Sequence, residues 1–306
     1  MAKIYKYLGP DILDKAFADE GFCSFKCSYP NEFNDPYELF LTIDYNQPPD
    51  ILAHYNEVIG EIPQIPTTCF STSPEVVPMW AHYAHNHCGV VVEIDEEKVL
   101  ESFPAVRFDD VEYRDEPAPE LLDMLYRAAH IGKPRYHYFL QSGVLNAAYF
   151  TKQSCWSYEM ERRLLIDQAF ITKLENGLQL FKIPQGCVTA LITGHQATRD
   201  TIEQVKSLSE KIGADQYEFR IGRSSSRPYF IALDGSTLLF DTDSLVKASS
   251  KCEKCSEPTK NTNLCPWCSV QSQHQNYAAG RNPLRMMQHF GMLEDYYKSM
   301  DEIGRK

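Results

Sequence analysis

"TTCFSTSPEVVPMWAHYAHNHCGVVVEID", residues 67–95, changes pattern twice within one short stretch. Residues 67–71 read as a strand, and Ser71, Thr72 and Ser73 set small hydroxyls at its end. Residues 76–83 predict a helix or wide turn carrying Trp80 and Tyr83. Residues 89–95 hold three consecutive valines after Gly89, and an unbroken apolar run of that length suits a strand covered on both faces. Taken alone, Phe70-Ser71-Thr72-Ser73 reads as a loop of small hydroxyls, and its meaning depends on what lies beside it.

Working outward, residues 3–8 predict a strand, 10–19 a helix closed by Gly21, and 22–27 a second strand. Asn34-Asp35-Pro36 predicts a tight turn. Residues 50–59 and roughly 117–147 read as helical. In the later half, an apolar strand at 187–194, an amphipathic helix at 198–212 and the strands in "YEFRIG" and "PYFIAL" suggest a crossover unit. The expected class is α+β, with helices and strands segregated.

The bulk numbers narrow the function. With 306 residues, 43% of them apolar, the chain can bury a sizeable core. No run reaches about 18 apolar residues, so no membrane span is expected. The first residues, MAKIYKYLG, hold no apolar stretch of signal-peptide length, and a cytoplasmic location is expected. The net charge of −12 disfavours general nucleic-acid binding. Residues 246–306, however, carry nine Lys and Arg against six acids, leaving +3 there and −15 elsewhere. There is no P-loop and no dinucleotide-type glycine pattern.

Six of the ten cysteines are scattered singly and read as small buried hydrophobes. The other four, Cys252, Cys255, Cys265 and Cys268, form two CxxC knuckles nine residues apart. Four thiolates at this spacing can enclose Zn²⁺ tetrahedrally, leaving no open position, so a structural zinc ribbon is expected. Trp267, with Lys251, Lys254 and Lys260, either stacks on a nucleic-acid base or belongs to a protein-docking knob. His82, His85, His87 and Cys88 read as structural or pocket-lining residues, since on a helix only His82 and His85 share a face.

"SCWSYEMERRLLID", residues 154–167, centres on Glu159 and Glu161. As a strand it puts Glu159, Glu161 and Arg163 on one face; as a helix it pairs Glu159 with Arg163 at i,i+4. A Ser-Thr-Ser strand end followed by Glu-x-Glu is similar to the motif order of NAD-dependent ADP-ribosyltransferases. A closer resemblance spans most of residues 3–245. "YKY", "FNDPYE", "CFS…MWAHYAHNHCGVVVEID" and "CWSYEMERR" resemble an uncharacterised bacterial family of unknown function, itself similar to ADP-ribosyltransferase-like toxins.

That resemblance implies a split mixed sheet with a helical insertion, followed by the zinc ribbon. It implies NAD as co-substrate, held by Lys6, Tyr7, Ser71, Thr72, Ser73, Trp80 and Tyr83, with Lys152 on the pyrophosphate. Trp80 and Tyr83 remain either core aromatics or the nicotinamide wall. Glu161 is implied to bond the ribose hydroxyl, and Glu159 to orient or deprotonate the acceptor. This chain departs from the superfamily pattern in placing Lys6 and Tyr7 where an Arg or His stands on the first strand. The Phe-Asn-Asp-Pro element is a further departure, and the long gap from Ser73 to Glu161 requires the helical insertion.

The implied boundaries are 1–245 for a catalytic domain, 246–270 for a four-cysteine zinc ribbon and 271–306 for a helical tail. The implied activity is that of a toxin or anti-phage defence effector modifying RNA, DNA or, as a lesser expectation, protein. An antitoxin or chaperone is an expected partner of the tail. Two other readings stand beside it: a non-enzymatic zinc-ribbon adaptor, and a metal-dependent nuclease using Asp35, Glu159 and Glu161.

Overall fold

The structure, a computed structural model, describes residues 2–35, 42–60, 62 and 64–304. Pro36, Tyr37 and Glu38 of the expected turn, and the basic pair Arg305 and Lys306, lie outside the described residues. Met1–Ile221 and Arg227–Lys247 form one compact unit; Gly222–Ser226 and Ala248–Lys306 form a second. The four-cysteine unit thus recruits a loop from inside the range assigned to the first domain.

The first unit begins with β1 (Lys3–Leu8), α1 (Leu13–Ala16), β2 (Phe22–Cys27), α2 (Pro49–Ile59), β3 (Thr67–Ser71), α3 (Val77–His82) and β4 (Val90–Asp95). There follow α4 (Glu96–Ser102), β5 (Arg107–Asp110), β6 (Glu112–Tyr113), α5 (Pro119–Ile131), α6 (Pro134–Phe150), β7 (Thr151–Lys152) and β8 (Glu161–Leu165). The remainder is β9 (Ile171–Lys173), β10 (Gln179–Pro184), β11 (Val188–Thr193), α7 (Arg199–Ile212), β12 (Asp215–Arg220), β13 (Tyr229–Ala232), β14 (Thr237–Asp241) and β15 (Ser244–Lys247). The second unit carries α8 (Ser272–Gly280), α9 (Pro283–His289) and α10 (Leu293–Gly304).

Ten strands form one sheet in the order β15-β14-β13-β12-β11-β4-β1-β3-β8-β5. The strands β2, β10 and β9 form a separate three-stranded sheet, and β6 pairs with β7. The large sheet is mixed: β11 and β12 run parallel through the α7 crossover, and the ladders around β1, β3, β4 and β8 are antiparallel. Thr198 caps α7 by accepting from the Thr201 amide, and Gly213 ends it with φ at 71°.

Period-two alternation builds a core on each face of this sheet. Ile4, Leu8, Val90, Val92, Ile94, Leu164 and Leu191 face one side, joined by Phe25 and Phe181 from the smaller sheet. Tyr5, Tyr7, Val91 and Ile192 face the other, against Trp80, Phe219 and Phe230. The expectation of a strand covered on both faces therefore holds at β4, all six of whose residues are buried.

The helical insertion between β6 and β7 is α5 and α6, packed with α2 over their own core. Leu121, Leu125 and Ala128 on α5 meet Leu140, Val144 and Ala147 on α6, each set at i, i+4, i+7. The helix expected at 10–19 is shorter: a 3₁₀ turn at Pro10–Ile12 leads into the single turn of α1. Only Leu13 and Ala16 bury there, so no apolar stripe extends the helix. Among the described residues, no helix is long and apolar enough to cross a membrane.

Gly89 and Gly194 mark where two backbones close on each other. The Gly194 amide donates to the Gly89 carbonyl at 2.9 Å. A Cβ on Gly194 would sit 2.0 Å from the His87 carbonyl oxygen, which is backbone and cannot swing away. Gly194→Ala is expected to cost about 1–3 kcal/mol or more, as overpacking does, read as a lowered melting temperature. Gly186→Ala, where the added Cβ meets nothing within 4 Å, is the control expected to leave it unchanged.

Candidate functional site

A cavity of about 310 Å³ opens beside β1, β3 and β8. Its lining has an unusual order. Tyr5, Lys6 and Tyr7 all contribute, as do all five residues of β3. A strand face presents alternate residues, so consecutive ones reach one cavity only along a strand edge. The pairing explains this: β1 and β3 are in register at one position, Tyr5 opposite Ser71, whereas β1 pairs with β4 at six. The cavity occupies the gap where β1 and β3 part.

Two carboxylates stand at this gap, and they are held differently. Glu161 begins β8 opposite Ser71, with Arg163 two residues on and on the same face. The Arg163 Nε donates to Glu161 Oε1 at 2.7 Å, and its Nη2 to Oε2 at 3.2 Å. Lys152 Nζ reaches Oε2 at 3.3 Å. Burial would raise the Glu161 carboxyl, but Arg163 and Lys152 outweigh it and hold the pKa at about 2. Burial works against charge on Lys152 too, and the two carboxylates more than compensate, keeping its amine protonated. The backbone N–H of Glu161 donates to the Tyr113 hydroxyl at 2.8 Å.

Glu159 is not on the strand. Ser154–Glu159 is a 3₁₀ turn, and Met160, left-handed at φ 46°, redirects the chain into β8. Neither the continuous strand nor the i,i+4 helical pair occurs; a turn carries Glu159 to the cavity beside Glu161 instead. Its Oε1 accepts from the Tyr83 hydroxyl and its Oε2 from Lys152, each at 2.6 Å. Lys152 is therefore committed to both carboxylates, under the ring of Trp156 at 4.8 Å, which leaves the expected pyrophosphate role unsupported.

Other expected residues divide. Lys6, Tyr7, Ser71 and Tyr83 line the cavity with Glu159 and Glu161. Thr72, Ser73 and Trp80 do not. The Thr72 hydroxyl donates to the Met160 carbonyl, and the Ser73 hydroxyl accepts from the Glu75 amide. Trp80 is fully buried, stacked on Phe219 with ring centroids 4.6 Å apart, so it is a core aromatic. The Tyr7 hydroxyl donates to the Ser73 carbonyl at 2.8 Å, tying β1 to the loop after β3. Of the Asn34-Asp35 pair, Asn34 lines the cavity and Asp35 is buried. Tyr5, Thr68, Cys69 and Arg163 also line it, beyond the residues the sequence pattern singles out. Spacing carries a signal for the last two: Cys69 and Arg163 lie opposite each other, one pair along from Ser71 and Glu161.

The Glu161 network has a pH consequence. Its folded pKa lies below the ordinary carboxylate value, so the ion pairs stabilise fully above about pH 4.5 and fade as pH falls towards 2. Acid unfolding of wild-type protein should steepen in that window, and Glu161→Gln should flatten it, as measured by denaturant midpoints against pH.

The second unit holds the candidate metal centre. The Sγ atoms of Cys252, Cys255, Cys265 and Cys268 all lie within 4.8 Å of one another. Those of Cys255 and Cys265 are 3.7 Å apart, against about 3.8 Å between thiolates on a tetrahedral zinc with bonds of about 2.3 Å. The Cys268 amide points at the Cys265 sulfur at 3.3 Å. Burial opposes ionisation of Cys252, but backbone amides of the knuckles, that of Cys265 foremost, bring its thiol down to about 6. Arg223 covers the half-exposed ring of Trp267 at 5.1 Å. Helices α8, α9 and α10 bury no side chain among the described residues.

Among the described residues, the four cysteines are the one group of three or more metal-ligating side chains gathered this closely. Neither Asp35, Glu159 and Glu161 nor His82, His85, His87 and Cys88 form such a group. No curated protein and no solved structure matches the chain. Residues 79–164 match the model of a family described as a protein of unknown function, DUF2971. The match is narrower than residues 3–245, and it takes in Tyr83, Lys152, Glu159, Glu161 and Arg163 while leaving Lys6 and Ser71 outside.

Proposed function

We propose that the cavity takes the nicotinamide-ribose end of NAD⁺ and that the chain is an ADP-ribosyltransferase, a bacterial toxin or defence effector acting on nucleic acid in preference to protein. One observation carries this reading. Ser71 and Glu161 stand directly opposite each other, and β1 parts from β3 beside them, so the three expected strands border one cleft. A volume of about 310 Å³ is at the small end for ligand pockets, which suits one end of a dinucleotide.

In this reading nicotinamide leaves with the electron pair of its glycosidic bond, and positive charge grows on the ribose. A fixed, ionised Glu161 stabilises that charge without reorganising. Its Oε1 accepts from Arg163 Nε and keeps a lone pair for a ribose hydroxyl. The neighbouring Cys69 thiol, a weak donor to the same carboxylate, is the group that hydroxyl displaces. Glu159 accepts the proton of the attacking acceptor group as the new C–O or C–N bond forms.

The test uses NAD⁺ labelled on its adenylate, incubated with the full chain and cell lysate. Label entering RNA, DNA or protein, and lost in Glu161→Gln, supports transfer. Absence of label from every fraction, with no nicotinamide released, sinks it. The unburied helices α8–α10 favour an additional binding role for the second unit, with an antitoxin or chaperone as the partner.

A further inference from the structure

Lys6 differs from every other cation at the cavity. The carboxylates of Glu159 and Glu161 are taken by Lys152 and Arg163. Lys6 Nζ instead donates to Thr68 Oγ1 at 3.0 Å and to the Cys69 carbonyl at 2.6 Å. Its stem lies by Phe70, with Nζ 5.3 Å from the ring centroid. Among the described residues it makes no ion pair. It nevertheless stays partly accessible, because the cavity reaches it.

The number of acceptors decides the protonation state that fits. An ammonium has three N–H donors, whereas a neutral amine has two and a lone pair. Two acceptors face Lys6. The neutral amine is thereby satisfied, and its lone pair takes the third corner. The charged form would leave one donor unmet and a crowded charge uncompensated. The groups packed around it agree: Lys26 on β2 opposes the charge, and Glu161, which favours it, is already neutralised by Arg163 and Lys152. The Cys27 and Cys69 thiols also lie near Lys6, and burial pushes both up, so they stay uncharged. Burial lowers the Lys6 amine below its ordinary range.

We propose that Lys6 is an uncharged nucleophile that captures a small aldehyde or ketone, the open form of a reducing sugar included, as an imine in the gap between β1 and β3. The nitrogen lone pair attacks the carbonyl carbon. Nitrogen gives up two protons, oxygen gains both and departs as water, and a C=N bond remains; nothing is oxidised or reduced. This inference goes beyond ADP-ribosyl transfer and does not depend on it. It replaces the expected electrostatic clasp on NAD, which a neutral amine cannot supply.

The probe is glycolaldehyde with cyanoborohydride, added to the native full chain at pH 7 without NAD⁺. Proteolysis and mass mapping then locate the reduced adducts. Each unit of lowered amine pKa raises the neutral fraction about tenfold. Lys6 is expected to label at least about tenfold faster than Lys15 and Lys298, whose side chains are 71% and 74% exposed. Its rate should level off at a pH where theirs is still climbing. Labelling no faster than these two, or a rate rising in step with theirs through pH 10, overturns the proposal. Lys6→Met should lose this adduct alone; because wild-type protein yields both the site and the pH profile, the result stands even if that variant fails to fold.

Discussion

Glu161→Gln is expected to lower ADP-ribosyl transfer by at least about a hundredfold, the scale on which removal of a preorganised charge-stabilising group acts. The same change should also weaken the fold. Arg163 is fully buried, and an uncharged amide leaves its guanidinium without a counter-charge. Breaking one side of a buried pair costs about 3–5 kcal/mol. The amide's NH₂ group would also face donors where a carboxylate oxygen accepted them. The two losses separate in Glu159→Gln. Glu159 pairs with Lys152 and Tyr83, not with a fully buried arginine, so that variant should lose transfer with a smaller fall in melting temperature. The measurements are label transfer per folded molecule and thermal unfolding of each variant. A folded Glu161→Gln protein with wild-type transfer would exclude Glu161 from the chemistry.

Removing zinc is expected to unfold the knuckle region while sparing the ten-stranded sheet. Among the described residues of the second unit, the buried ones are Cys252, Glu257 and Cys265. There is no hydrophobic core there to substitute for a metal. The Glu257 carboxylate caps the Ser224 amide at 2.7 Å, which ties the recruited loop to the knuckles. Structural zinc contributes about 10–16 kcal/mol in small domains, all of it as folding free energy. The chain as purified should contain one zinc, and a strong chelator should collapse amide-exchange protection around residues 251–269. Protection in β4 and β11 should stay as it was. Cys252→Ser should reproduce the effect without chelator. Retained protection in metal-free protein would mean that the thiols do not depend on an ion for their arrangement.

Strand positions were legible in the sequence to an unusual degree, because they depend on local pattern. Residues 3–8, 22–27 and 67–71 coincide with β1, β2 and β3, each an apolar or alternating run closed by a turn former. The pairing order was not legible. Nothing in the sequence of β1 says that it lies between β3 and β4, since a ladder is formed by backbone groups every residue shares. The carboxylates show the same limit from the other side. Glu-x-Glu spacing suits one continuous strand, but a left-handed Met160, a conformation that costs a non-glycine residue energy, breaks it. Glu159 reaches the cavity only through that turn. The sequence leaves Trp80 open between core and pocket because an aromatic on a helix suits either; the stacking partner Phe219, 139 positions later, closes the question. The role of Lys6 is hidden in the sequence because it rests on the count of acceptors around one nitrogen, which only three-dimensional contacts fix.

The central place of β1 also governs how the chain can assemble. This strand is synthesised first, yet its neighbours are β3, residues 67–71, and β4, residues 90–95. At about 5–20 residues per second, the ribosome needs on the order of ten seconds to deliver residue 95. During that interval Ile4, Tyr5, Tyr7 and Leu8, all buried in the finished molecule, have no sheet to enter. Pairings so distant in sequence place such a sheet among slow-folding topologies. The nascent segment is therefore a natural client for a holdase, and the middle of the sheet is a late event in its own folding.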